Sequence, residues 1–432
     1  MGTIALIIAF VVESVLTAYC IKTKSNQSKL RSYVRIGALS GFVLLALVSV
    51  IRWNPVWYGL SALLLTWAIL GVIALLRSRP DTKEYRGKRI VFRGILSVAL
   101  AFVAVCPALI FPEHNLIATT GGYSVATATY TYTDTGRLET YTNNGQDRKL
   151  NVELWYPEAA SGTYPLVVFS HGATGMKSSN TSLYRELASH GYVVAAIDHT
   201  YQALYTTFAD GQTVWMDPGY MNQIMAEDAH TDRQQAYLYY QEWMKVRMGD
   251  INFVIDTILA KTKDKGSGAP YQLVDPREIG VIGHSLGGSA ALGIGRVRSD
   301  VSAVISLEAP FMYDIQGTKD GQFVWNQNPY PTPVLNVYAE TWSHLGELTQ
   351  YAENYALLSD TSATAFNVYI SGANHLSLTD LALESPFLTT VLAGSQPTKD
   401  AATCLKIVNK VSLAFFDTYL KGRGTFTAGG TY

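Results

Sequence analysis

Two rhythms of apolar and polar positions divide this chain. Before residue 112 apolar residues run almost unbroken in four stretches, Thr3–Ile21, Val34–Ile51, Val56–Leu76 and Ile90–Phe111. Each approaches or exceeds the ~20 residues with which a helix crosses a bilayer. Beyond Tyr123 the rhythm shortens. Residues 125–132 alternate with period two, as do residues 150–156, and both predict strands. Asn143-Asn144-Gly145 between them is a turn signal. Continuous apolar runs follow at Leu166–Phe169, Tyr192–Ile197, Ile279–Ile282, Val301–Leu307, Pro333–Tyr338 and Phe366–Ile370. Such runs suit strands buried on both faces. Helical stretches fall between or after them at Ser182–His190, Ala226–Lys261 and Ala401–Leu420. Antiparallel strands first, then alternating strand and helix, predict an α/β fold with a mostly parallel sheet and helices on both faces. The expected division is an all-α four-helix transmembrane region at 1–111, an α/β domain at 112–422, and a frayed tail with three glycines at 423–432.

Charge adds an orientation. Lys22, Lys24, Lys29, Arg31 and Arg35 lie between or near the first two stretches, and Arg77, Arg79, Lys83, Arg86, Lys88, Arg89 and Arg93 between or near the last two. Only Arg52 separates the second from the third. The positive-inside rule puts the two basic loops in the cytoplasm, both termini outside, and the α/β domain on the extracytoplasmic side of the cytoplasmic membrane. The first stretch has no basic residue before it and no small-residue exit, which argues against a cleaved signal peptide. Glu13 interrupts it, as a functional intramembrane carboxylate or as a residue of a helix end or bundle interior. Trp53, Trp57 and Tyr58 suit an interfacial aromatic belt.

The net charge of −1 gives no reason to expect a nucleic-acid partner. Of three cysteines only Cys404 lies outside the apolar half, so the α/β domain has no internal disulfide. No Cys/His cluster has metal-ligand spacing, and no metal or cofactor is expected. Tyr201–Met225 is aromatic-rich without periodicity; it reads as a pocket wall, a cap or a packed surface excursion.

The chemistry centres on Gly283-His284-Ser285-Leu286-Gly287-Gly288, which follows an apolar run and precedes a run of small residues. Strand, sharp turn and helix with serine at the apex is the context of a nucleophile elbow. A serine hydroxyl needs a base in contact. His375, in Ser371-Gly372-Ala373-Asn374-His375 directly after the last strand, has the placement that the chain order Ser, acid, His requires. His344 comes too early in that order. Two carboxylates follow candidate strands, Glu308 and Glu340, and either strand end can reach the histidine. The oxyanion hole needs two backbone N–H groups. One is expected from Leu286, the other from Ala173, with Thr174 behind it, in the loop Phe169-Ser170-His171-Gly172-Ala173-Thr174-Gly175.

Together these segments resemble the platelet-activating factor acetylhydrolase family of α/β-hydrolases over about residues 145–421. The likeness rests on residues 169–172 (Phe-Ser-His-Gly), 194–199, 279–288, 305–309 and 372–375 with Thr379-Asp380, and on the closing helix at 408–416. The resemblance implies Ser285 as nucleophile, His375 as base, Ala173 and Leu286 as oxyanion donors, and no metal. It puts the acid at Glu308, where the family typically has aspartate; the extra methylene keeps Glu340 as the alternative acid. The four apolar stretches are not part of the family's soluble members. The expected function is a membrane-anchored serine hydrolase of carboxylic esters, with acyl lipids or phospholipids as substrates and the bilayer as partner. A polyester or small-ester hydrolase, an acyltransferase using the same acyl-enzyme, and a non-catalytic membrane receptor are the alternatives.

Overall fold

A computed structural model describes residues 1–77, 85–142 and 144–432. Arg79, Lys83 and Asn143 of the motifs above lie outside the described residues. The chain divides into two compact units, one of Met1–Asn115 with Glu384–Leu388, the other of Leu116–Leu383 with Thr389–Tyr432.

The first unit is built on α1 (Gly2–Lys22), α2 (Ser28–Leu47), α3 (Tyr58–Leu76) and α4 (Gly87–Ile110). All four are long and apolar enough to cross a membrane. Ile8, Phe10, Val15, Leu65, Phe92 and Val103 expose their side chains, an outward apolar surface that suits lipid rather than water. α2 starts six residues before its expected apolar run, because Lys29 and Arg31 are good helix formers that continue its first turns. It ends early as well, and Ser49 turns the chain with φ 59°. Trp53 and Tyr58 are exposed as a belt requires, but Trp57 is buried and packs edge-on against Phe42 at 6.2 Å. Glu13 is buried inside the bundle.

The second unit carries β1 (Val125–Leu138), β2 (Asp147–Pro157), β3 (Tyr164–Ser170), α5 (Thr181–Ser189), β4 (Val193–Asp198), the small hairpin β5 (Tyr205–Thr207) and β6 (Thr213–Trp215), then α6 (Pro218–Ala226) and α7 (Arg233–Thr262). The short α8 (Ala269–Gln272) leads to β7 (Val274–His284), α9 (Leu286–Val297) and β8 (Val301–Leu307). A second hairpin, β9 (Ile315–Lys319) and β10 (Gln322–Trp325), precedes β11 (Val334–Tyr338), β12 (Ala365–Tyr369), a closing helix Ala401–Tyr419 and β13 (Gly430–Thr431). The main sheet has the order β1-β2-β4-β3-β7-β8-β11-β12-β13. β1 and β2 pair antiparallel, β2 pairs antiparallel with β4, and the remaining pairs are parallel. Successive side chains of a strand point to opposite faces, so a continuous apolar run feeds two cores. Val168 and Val281 pack on the α7–α9 side; Val167, Phe169 and Ile282 pack against α5 and Phe415 and Phe416 of the closing helix.

Two boundaries differ from expectation. The helix expected from Ala226 breaks at 227–232 and resumes as α7, because Asp232 caps its start by accepting the Gln235 N–H at 2.9 Å. The terminal residues are not frayed. β13 pairs with β12, the Tyr432 N–H donates to the Tyr369 carbonyl at 2.9 Å, and Phe426 is buried 5.0 Å from the Phe366 ring. Two aromatic anchors outweigh the freedom of the glycines around them.

Candidate active site

β7 ends at His284 and α9 begins at Leu286, which leaves Ser285 alone at the turn with φ 53° and ψ −126°. That conformation is strained for a residue with a side chain and persists only where the surroundings fix it. The fixing contacts are backbone. The Ser285 N–H donates to the Leu307 carbonyl at 2.8 Å. A Cβ on Gly283 would fall on the carbonyl of Gly287, and one on Gly287 would fall on those of Ser170 and His171. Both positions therefore require glycine. Of residues 283–287, Ser285 alone is not fully buried.

The loop after β3 lies against this turn. A Cβ on Gly172 would stand 3.5 Å from the Ser285 Cβ. Among the described residues the N–H groups of Ala173 and Leu286 have no hydrogen-bond acceptor. Ala173 is half-buried and Thr174 exposed.

His375 is half-buried at the start of a short turn after β12. Asn374 caps that turn by accepting the Ser377 N–H at 3.0 Å, while the Ser377 hydroxyl accepts the Asn374 N–H at 3.1 Å. Asp380 accepts from the Ser182 N–H at 2.7 Å and so pins the turn's far end to α5. His284 ties His375 to the elbow. Its ring lies 4.6 Å from the His375 ring, and its Nε2 is 3.0 Å from the His375 carbonyl oxygen. A carbonyl only accepts, so His284 carries a proton on Nε2. Burial pushes His284 down to about 3, and it is neutral at pH 7. Burial also lowers His375, against an opposing pull from Glu340.

Both candidate acids come to this corner. Glu308 is buried in a positive-φ turn after β8, with φ 50°. Its carboxylate accepts from the Ala339 N–H and from the Thr341 N–H, the latter at 2.8 Å. Burial pushes it up to about 7, against the pull of these hydrogen bonds. Glu340 is half-buried; its carboxylate accepts the His375 backbone N–H at 3.2 Å and the Ser395 hydroxyl at 2.6 Å. Among the described residues neither carboxylate hydrogen-bonds the His375 ring. His344 is exposed at the end of the short turn that begins at Glu340, and its Nδ1 lies 3.3 Å from Glu347.

A second Ser-His-Asp arrangement was not foreseen. Ser170 Oγ is 2.7 Å from His199 Nε2, and His199 Nδ1 is 2.9 Å from Asp250 Oδ2. All three residues have no exposed surface, so a substrate has no access to them. Burial raises Asp250, but the Arg148 guanidinium outweighs it and holds the carboxyl well below its usual range. Burial, helped by Arg247, brings His199 down to about 4. The available signal was charge on an apolar face. On α7, Tyr240, Trp243, Arg247, Asp250 and Val254 form one buried stripe, and two of the five carry charge.

A mostly parallel sheet, flanked by helices and carrying a strand–serine–helix turn beyond a central strand, defines an α/β-hydrolase. The profile of the family described as platelet-activating factor acetylhydrolase, isoform II, matches residues 139–429, and the chain belongs to that family. The platelet-activating factor acetylhydrolase of Cavia porcellus is 24% identical over 269 residues, 60% of this chain and 58% of that protein. The chain thus spans less than two thirds of that relative. Cutinase est2 of Thermobifida alba is 27% identical over 154 residues, 36% of this chain and 37% of its own. A ferulic acid esterase structure from Streptomyces cinnamoneus superposes with a TM-score of 0.55 at 24% identity, covering 72% of this chain and 94% of that one. That likeness bears on the fold alone.

Proposed function

We propose that the protein is a membrane-anchored serine hydrolase that cleaves carboxylic esters of acyl lipids. The carrying observation is Ser285, strained and partly accessible between β7 and α9, with the His375 loop tied to the residue before it. Family membership and the names of its relatives, acetylhydrolase and cutinase, support ester chemistry.

Ser285 Oγ attacks the ester carbonyl carbon while the His375 imidazole takes its proton. The N–H groups of Ala173 and Leu286 stabilise the oxygen that becomes negative. Glu308, fixed by the Ala339 and Thr341 N–H groups, stabilises the imidazolium by its charge. Collapse expels the alcohol, which takes the proton from His375. Water, deprotonated by His375, then attacks the acyl-enzyme; the acid leaves and Ser285 regains its proton. Glu308 suits the acid's role because it is buried and fixed by two backbone N–H groups. Glu340 holds the backbone of the His375 turn instead.

Acyl-lipid substrates are favoured by the residues beside the oxyanion loop. The Leu204 N–H donates to the Gly175 carbonyl at 3.1 Å, and Leu204, Tyr205 and Trp215 are exposed there. Four helices able to cross a bilayer support the anchor.

The test is hydrolysis of p-nitrophenyl acetate by the detergent-solubilised protein. Ser285→Ala is expected to lose at least ~10³-fold in kcat, and a fluorophosphonate probe to label Ser285 and not Ser170. Undiminished hydrolysis by Ser285→Ala would sink the reading.

A further inference from the structure

Arg247 on α7 has no exposed surface, and its partners are unusual. Among the described residues it pairs with no carboxylate. Its guanidinium donates to the His171 carbonyl from Nη1, to the Gly172 carbonyl from Nη2 at 3.2 Å, and to Gln202 Oε1 from Nε at 2.8 Å. Nη2 also reaches the Tyr220 hydroxyl at 3.3 Å, and that hydroxyl donates to the Ala173 carbonyl at 2.8 Å. Three successive carbonyls of the loop after β3 are therefore held from the interior.

The direction of a carbonyl fixes the next N–H. In a planar trans peptide the C=O of one residue and the N–H of the following residue point opposite ways. The Gly172 carbonyl is met by Arg247 at 3.2 Å, by His171 Nδ1 at 2.6 Å and by the Gly175 N–H at 3.2 Å, and Arg247 thus helps to turn the Ala173 N–H away from α7. Gly172 itself lies against Ser285. The guanidinium stands behind this peptide as a buried cation, so its field also favours negative charge on the far side. The loop's root is fixed from the same helix, since Asp250 holds His199 and His199 meets the Ser170 hydroxyl.

We propose that Arg247 and Tyr220 are positioning residues that aim and polarise the oxyanion hole without touching substrate. This rests on Ser285 being the nucleophile. A preorganised donor acts on the transition state, so its loss lowers kcat and leaves KM nearly unchanged.

The test compares Tyr220→Phe, Arg247→Lys and Ser285→Ala in the full-length solubilised protein. Its readouts are melting temperature, kcat and KM on p-nitrophenyl acetate, and affinity for a trifluoromethyl ketone that forms a tetrahedral adduct. Losses in kcat of about 10-fold for Tyr220→Phe and about 100-fold for Arg247→Lys are expected, with KM within about 2-fold. Affinity for the ketone should fall by the same factors as kcat/KM. If Arg247→Lys does not fold, Tyr220→Phe decides. Folded variants with unchanged kcat, or a kcat loss without a matching loss of ketone affinity, overturn the clamp. An active Ser285→Ala would instead overturn the nucleophile on which the clamp depends; an inactive Ser285→Ala beside a fully active Tyr220→Phe overturns the clamp alone.

Discussion

Glu308 and Glu340 differ in what their carboxylates hold, and that difference is measurable. Glu308 rests on the N–H groups either side of Glu340, while Glu340 rests on the His375 backbone and Ser395. With Glu308 as the acid, Glu308→Gln should lower kcat by ~10³–10⁴, as loss of a triad acid does, and Glu340→Gln by only about 10-fold. The reverse order would exchange their roles. A pH profile adds a second readout. Burial raises Glu308 to about 7, whereas burial lowers His375. Activity needs the carboxylate ionised and the imidazole neutral, so kcat/KM should climb as pH rises through an apparent value near 7, and Glu308→Gln should lose that limb. Stability supplies the folding control. The folded carboxyl titrates above its ordinary 4.5, so the folded state binds the proton more tightly and its stability falls as pH rises towards 7. Glu308→Gln should therefore melt no lower than wild type at pH 8. The sequence left the two glutamates open because both follow strands. Only the fold reveals which backbone groups each one meets.

The excursion between β4 and α7 has a separable role at the scale of elements. β5 and β6 form a hairpin whose Tyr205 and Trp215 rings lie 5.6 Å apart, 39% and 67% exposed. Tyr220, from α6 of the same excursion, reaches back to the oxyanion loop. If the exposed pair receives acyl chains, Trp215→Ala should raise KM for p-nitrophenyl decanoate roughly 5- to 10-fold, the scale of one buried apolar contact. The acetate should change by less than about 2-fold, since it has no chain to lose. Equal effects on both esters would assign the hairpin to stability. Pattern exposed these elements unevenly. The parallel strands were legible because runs such as Leu166–Phe169 feed two cores at once. The elbow was legible because its glycines answer to backbone contacts within a few residues or on the adjacent strand. Arg247, Asp250 and Tyr220 were not, because their partners lie 27 to 113 residues away and no local period marks a hydrogen bond of that span.

For the whole molecule, location follows from the number of spans. Four membrane crossings would return the chain to the side on which it began; three would place the α/β unit opposite its N-terminus. The basic residues choose the side. Lys22, Lys24, Lys29, Arg31 and Arg35 cluster at the end of α1, in the connection after it and in the first turns of α2, whereas Arg52 is the only basic residue between α2 and α3. We propose on this argument that Trp53 and Asn144 face the extracytoplasmic side and Thr23 the cytoplasm. Single cysteines at Thr23, Trp53 and Asn144, in a chain whose Cys20, Cys106 and Cys404 are replaced, read this directly. All three positions are exposed. A membrane-impermeant maleimide on intact cells should label Trp53→Cys and Asn144→Cys, and Thr23→Cys only after permeabilisation. Labelling of Thr23→Cys together with Asn144→Cys on intact cells would overturn the four-span reading. Labelling of Thr23→Cys alone would invert it and put the ester chemistry inside the cell. The expected pattern means that Ser285 meets lipids of the outer leaflet or beyond, so its acyl substrates would have to come from that side.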